Sequence, residues 1–475
     1  MHIEDILRNI ASQIANNYTD PGVKASYLQA AERLRYPYWD WAASDVPTKG
    51  LPSIFTNLTL SVNTPPFNLP TNVANPLRAY SFVDTVGTPF GAGDIYNPQN
   101  GATYQVPVGY IYSAPGYSTV RQPVNGYATN DDAVQSSVKL AAAASFIPAL
   151  FQMFQTTEFE PFSNHYATVP NRGSQNATHF LQYASLEGVH DSVHRAVGGL
   201  GGHFRFNTMA GFDPVFFLHH CNVDRVFALW QALYPDQWIE PSLSPQGTFT
   251  IPMNTTVDVN TELTPFYRRA GDRYYNSNDM RDVLALGYTY PELAKFQNLT
   301  MDKRRKVVFD MYRPNRNTTY EVRWYIGLDK VVATGVPGAF SVHVFLNPQT
   351  PVGVDTPLTD PTYCGSADFS SGMSSSIKTY EGVVELTDCM VRLKRTINSI
   401  PGNPVGDPET ALSSLAGWPV LYSDLAYVTE GYNGQDFSQY VKLDNVTIFY
   451  TYEKGNNGKF IRGAEPKTPN IVGKK

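Results

Sequence analysis

Asp213-Pro214-Val215-Phe216-Phe217-Leu218-His219-His220-Cys221-Asn222-Val223-Asp224-Arg225 places two adjacent imidazoles inside an apolar segment. Asp-Pro reads as a helix start, because proline in the first turn gives up an N–H that has no intrahelical partner there, and aspartate accepts those left over. The apolar pattern continues through Phe227, Leu229 and Trp230 to Leu233, which predicts a core helix. Imidazole among Phe and Leu is costly unless its nitrogens are occupied. A metal ion on one nitrogen and an acceptor on the other would satisfy both; a hydrogen-bonded core histidine is the competing reading. Asp224, one turn beyond His220, is the acceptor expected on that face.

Working upstream, five of the nine histidines fall between His190 and His220. His190 and His194 are four apart on a predicted helix, so both rings leave one face and can reach one ion, with Glu187 three residues earlier on that side. The H-E-x-x-H pattern of zinc hydrolases needs glutamate beside the first histidine, where this chain has Asp191. Imidazole-only ligation suits copper, zinc and iron, and spacing alone leaves the three open.

The rest of the chain sets limits. With 475 residues, 42% hydrophobic and 13% aromatic, it is long enough for two or three packed domains. A net charge of −6 without a Lys/Arg cluster argues against nucleic acid, and three scattered cysteines make no disulfide or zinc framework. No stretch reads as membrane-spanning and no signal-peptide pattern starts at Met1, which predicts an intracellular protein without a membrane partner. Apolar residues at Ile3, Ile6, Leu7, Ile10 and Ile14 predict a first helix, and Asp20-Pro21 opens a second that stops at Pro37. Residues 44–130 read as long irregular segments, and helix returns at 132–154, broken at Pro148. After residue 315 the period changes: Val322, Trp324, Ile326 and Leu328 alternate, as do Phe340, Val342, Val344 and Leu346. The expected organisation is a metal-binding core over 1–315, a β-rich domain over 316–462 and a polar tail over 463–475.

The Asp213–Arg225 run resembles the copper B signature of the fungal tyrosinase and polyphenol oxidase family of type-3 copper proteins. Leu186–His194 resembles the segment carrying that site's first two histidines, and Arg35-Tyr36-Pro37-Tyr38-Trp39-Asp40-Trp41-Ala42 and Asn75-Pro76-Leu77 fit the family as well. The resemblance, over most of residues 1–330, implies a mainly α core of the four-helix-bundle type-3 copper fold with long irregular loops. It also implies a β-rich carboxy-terminal lid domain. It makes His190, His194 and His220 the copper B ligands and His219 a neighbour. Phe216 becomes the aromatic that stacks on the substrate ring, and Glu187 the acid that holds a water near the phenol. Asp191 stands where some monophenol-oxidising members carry Asn, so the resemblance supports oxidation of diphenols or o-aminophenols better than hydroxylation of monophenols. The implied chemistry is copper-dependent oxidation of phenols to o-quinones by dioxygen, for melanin-like pigment.

One departure stands against this. A type-3 centre also needs three copper A histidines upstream of the Tyr38-Trp39-Asp40-Trp41 segment, and only His2 lies there. The family's H-R-x-Y-x-x-x-x-E pattern, aligned on Glu4, puts the third of them just ahead of Met1, and the first helix is already running at Ile3 without a cap. The expectation is a chain lacking its natural beginning, which would be inactive without copper A. The alternative is a non-catalytic mononuclear or metal-free scaffold, or a dioxygen-binding member.

Overall fold

The computed structural model describes residues 2–83, 94–96, 103–105, 117–123, 128–165, 184–207, 209–244, 247–248, 250–268, 272–314, 322–336, 338–370, 377–393, 424–431, 434–453 and 460–464. The predicted first helix runs His2–Asn16, and the second Pro21–Glu32. Asp20 caps the second by accepting from the Val23 N–H at 2.9 Å, and the helix ends several residues before Pro37 rather than at it. Within 44–130 the chain is less irregular than expected, because Thr59–Thr64 and Leu69–Ala74 pair as an antiparallel hairpin.

Helices form the amino-terminal core. The Asp131–Ala141 helix passes through a π-helical turn at Ala142–Phe146 into Ile147–Met153. The expected break at Pro148 is therefore displaced: the proline sits in a first turn, where its missing N–H costs nothing, and the irregularity precedes it. Taken whole, Asp131–Met153 is long and apolar enough to cross a membrane, contrary to the reading from sequence; half of it is buried, with Val138, Phe146 and Leu150 inside the protein core. Leu186–Gly198 and Met301–Tyr312 pack against it, and Val215–Leu233 packs against those two, around Trp41, Phe162 and Trp230.

The carboxy-terminal strands form two antiparallel sheets. One has the order Tyr363–Phe369, Phe340–Leu346, Leu425–Gly431; the other Lys378–Glu385, Val322–Ala333, Val441–Glu453, Phe460–Ala464. The apolar alternation seen in the sequence does not divide buried from exposed, since Arg323 to Leu328 are all buried. It divides two cores. Trp324, Ile326 and Leu328 face Val342, Val344 and the other sheet, whereas Tyr325, Phe449 and Val383 on the opposite face join the helical core. The sheets approach closely at Gly382, where a Cβ would stand 2.8 Å from that of Ala367. Of the expected tail, Gly463 and Ala464 belong to the last strand, and residues 465–475 lie outside the described residues.

Candidate metal centre

Two helices bring the histidines together. Leu186–Gly198 starts at Ser185, whose hydroxyl accepts the Gly188 N–H at 3.1 Å, and stops at Gly199, where φ of +63° suits a residue without Cβ. Val215–Leu233 is anchored at its start by Asp213, which is fully buried, accepts from the Val215 N–H and takes a two-pronged ion pair from Arg121 at 2.7 Å. Further along, Arg225 donates to Glu292, Asp40, Asn222 and Tyr312 and lies over the Tyr38 ring at 4.8 Å. Asp40 and Arg225 of the two sequence motifs therefore join helix to loop, with the facing carboxylates holding the guanidinium charged against the cost of its burial.

On this frame the Nε2 atoms of His190 and His194 stand 3.0 Å apart, and those of His190 and His220 3.1 Å. The other nitrogens decide what these atoms carry. His194 Nδ1 lies 2.6 Å from the Phe204 carbonyl and His220 Nδ1 2.8 Å from the Phe216 carbonyl. A carbonyl only accepts, so both Nδ1 atoms hold the proton and both Nε2 atoms present lone pairs. His190 Nδ1 faces the Asp191 carboxylate at 2.9 Å, which assigns the same tautomer. Three lone pairs converging at about hydrogen-bond distance repel one another unless a cation sits among them.

Burial, with the adjacent His190, holds His220 down to about 4, and burial pushes His194 and His219 well below the usual imidazole value. The rings are thus neutral and ready to ligate at neutral pH. His219 belongs to the same cluster: one ligand atom from each of the four histidines lies within 4.8 Å of the rest. Its ring centroid is 5.0 Å from those of His190 and His194, it is fully buried, and neither of its nitrogens has a hydrogen-bond partner. A buried imidazole left unpaired is costly, so the donor set fits a metal ion on two counts.

The remaining expected residues are also placed. The Phe216 ring lies 4.0 Å from the His220 ring, half-buried beside the cluster. Glu187 and Asp191, one helical turn apart, both face His165, at 3.8 and 3.7 Å. Asp224 does not serve His220: it accepts from the Tyr288 and Tyr290 hydroxyls at 2.9 and 2.5 Å, because His220 Nδ1 already uses its own helix carbonyl. His203 accepts the Val120 N–H through Nδ1, a structural role, and His179 lies outside the described residues. His165 packs against the carboxy-terminal sheets through Phe369, and His343, within the Phe340–Leu346 strand, pairs with Glu430 and Arg195. The Phe204 carbonyl and the Ser370 N–H, which donates to Asp191, carry no sequence signal, since main-chain groups are the same in every residue.

Residues 1–233 match the family model described as the common central domain of tyrosinase. The chain is 29% identical to polyphenol oxidase 2 of Agaricus bisporus over 313 residues, covering 65% of this chain and 50% of that protein. It is 30% identical to a tyrosinase of Podospora anserina over 301 residues, 62% and 48% of the two chains. It thus spans about half the length of these curated relatives. Among solved structures it resembles recombinant mushroom tyrosinase with a TM-score of 0.69 at 24% identity, over 97% of this chain and 79% of that one. It also resembles the apo-protyrosinase of Aspergillus oryzae, with a TM-score of 0.64 at 17% identity, over 97% and 79%. At such identities these likenesses concern the fold, a helical core with carboxy-terminal sheets.

Proposed function

We propose that this chain, whose residues 1–233 match the model for the common central domain of tyrosinase, works in copper-dependent oxidation of phenols and o-diphenols to o-quinones by dioxygen. The observation that carries the reading is the convergence of three Nε2 lone pairs, each fixed by a partner on the opposite nitrogen. His190, His194 and His220 hold one copper ion by those atoms. When bound, copper would supply the redox chemistry of the reaction with dioxygen. The chain's own part is positional. Phe216 offers a ring face beside His220 against which an aromatic substrate stacks, and the apolar helix around the cluster keeps water out. Glu187 is the carboxylate near the site that takes up the phenol proton, through a water. The carboxy-terminal sheets pack against the helix that carries His190 and His194.

The described residues contain one histidine cluster. A single copper per chain is therefore expected, together with little catechol oxidation by this chain alone. Copper stoichiometry by mass spectrometry of metals, with a catechol oxidation assay, tests this. The expected result is one copper in the parent chain and none retained by His194→Phe. Copper uptake unaffected by that substitution would defeat the ligand assignment, and two coppers with brisk quinone formation would defeat the single-ion reading.

A further inference from the structure

The three imidazoles owe their tautomers to different parts of the molecule. His194 and His220 rest on main-chain carbonyls of the helical core, at Phe204 and Phe216. His190 rests on a side chain, that of Asp191, and an aspartate can rotate. What holds it is distant in sequence. Asp191 is 1% exposed; its Oδ1 faces His190, and its Oδ2 accepts the Ser370 N–H at 2.5 Å, from the end of the Tyr363–Phe369 strand. His165 Nδ1 stands 3.7 Å from the same oxygen. That ring is itself packed on Phe369 and Tyr380, and the His165 carbonyl accepts the Glu381 N–H at 2.8 Å, all from the carboxy-terminal sheets.

We propose that Asp191 is a positioning residue through which the carboxy-terminal sheets, by way of the Ser370 N–H, orient the His190 ring toward the metal. The sheets are then a working part of the site. A carboxylate on the far nitrogen of a ligating histidine fixes the ring and raises its basicity, and losing such a partner typically costs about 10–100-fold in metal affinity. Without the Ser370 donor, Oδ2 would be a buried anionic oxygen short of a hydrogen bond, and the carboxylate would turn to recover one. His190 would then lose its partner, although nothing around His194 or His220 had changed.

The inference rests on the copper reading above, and the test separates the two. In the full chain, Ser370→Pro removes the N–H, whereas Ser370→Ala keeps it. Cu(II) ions serve as the probe, followed by competition titration and by the hyperfine pattern in electron paramagnetic resonance. Before copper is added, 15N resonances of labelled histidine report the His190 tautomer. Ser370→Pro is expected to weaken Cu(II) binding about tenfold or more, alter the hyperfine pattern and mix the His190 tautomers, with Ser370→Ala keeping the parent's values. A Ser370→Pro chain that keeps the parent's affinity and tautomer overturns the proposal. Should that variant fail to fold, Asp191→Asn decides, since an amide offers its one oxygen to His190 or to Ser370 but not to both; parent-like affinity and tautomer there would also overturn it. If the parent binds no Cu(II), the copper reading falls and the tautomer measurement alone judges the positioning.

Discussion

The two helices that carry the histidines are secured in opposite ways. Val215–Leu233 is largely apolar outside its His219–Arg225 stretch and is pinned by buried ion pairs within the helical core: Arg121 to Asp213 at its start, and Asp40 and Glu292 to Arg225 in its middle. Leu186–Gly198 is amphipathic and closes its own ends with Ser185 and Gly199. It sends its polar side toward the carboxy-terminal sheets, where Arg195 pairs with Glu430 and Asp368. One helix is fixed by the core it belongs to. The other is fixed by strands far along the chain, so a metal centre built on both reports the integrity of the whole chain.

That contrast can be broken most severely at Arg121. Arg121→Ala leaves Asp213 buried without its counterion, and the expected cost is about 3–5 kcal/mol, measured by urea unfolding. A cost below about 1 kcal/mol would mean the helix start is held by packing instead. Next in size is the metal itself. Added Cu(II) at about a hundred times its Kd should stabilise the parent by about 2.7 kcal/mol in thermal unfolding, and should leave His194→Phe unmoved. The same cluster predicts a pH dependence. His220 titrates near 4 in the fold against 6.5 when unfolded, so between those values the unfolded chain binds a proton that the folded one refuses. Stability of the metal-free chain should be fully present above about 6.5 and fall as pH drops toward about 4; a flat profile there would contradict the burial of that ring. The smallest effect belongs to the self-contained helix. Ser185→Ala removes the cap on Gly188 N–H and should cost about 1 kcal/mol, with Cu(II) affinity nearly unchanged.

Much of the site was legible because its elements are local. The four-residue spacing of His190 and His194 places both on one face whatever surrounds the helix, and Asp213-Pro214 announces a helix start from its own backbone chemistry. Asp224 was misjudged by the same rule. Spacing puts it one turn from His220, but spacing does not say that Tyr288 and Tyr290 will take its oxygens first, nor that His220 will turn its Nδ1 to the Phe216 carbonyl. The strands after residue 315 show the limit again. Alternation announced strands correctly, yet both faces are buried, one against a second sheet and one against the helices.

From the sequence alone came the elements and the ligand types: helical and strand periods, helix starts, and a cluster of imidazoles that asks for an ion. These depend on neighbours within one or two turns, where covalent geometry leaves little freedom. The tertiary structure decided which nitrogen each imidazole presents, that His219 joins the cluster, and that Ser370, 179 residues away, steadies Asp191. Those choices depend on which main-chain donors and acceptors meet once the chain has closed on itself, and main-chain groups bear no residue-specific mark until they meet.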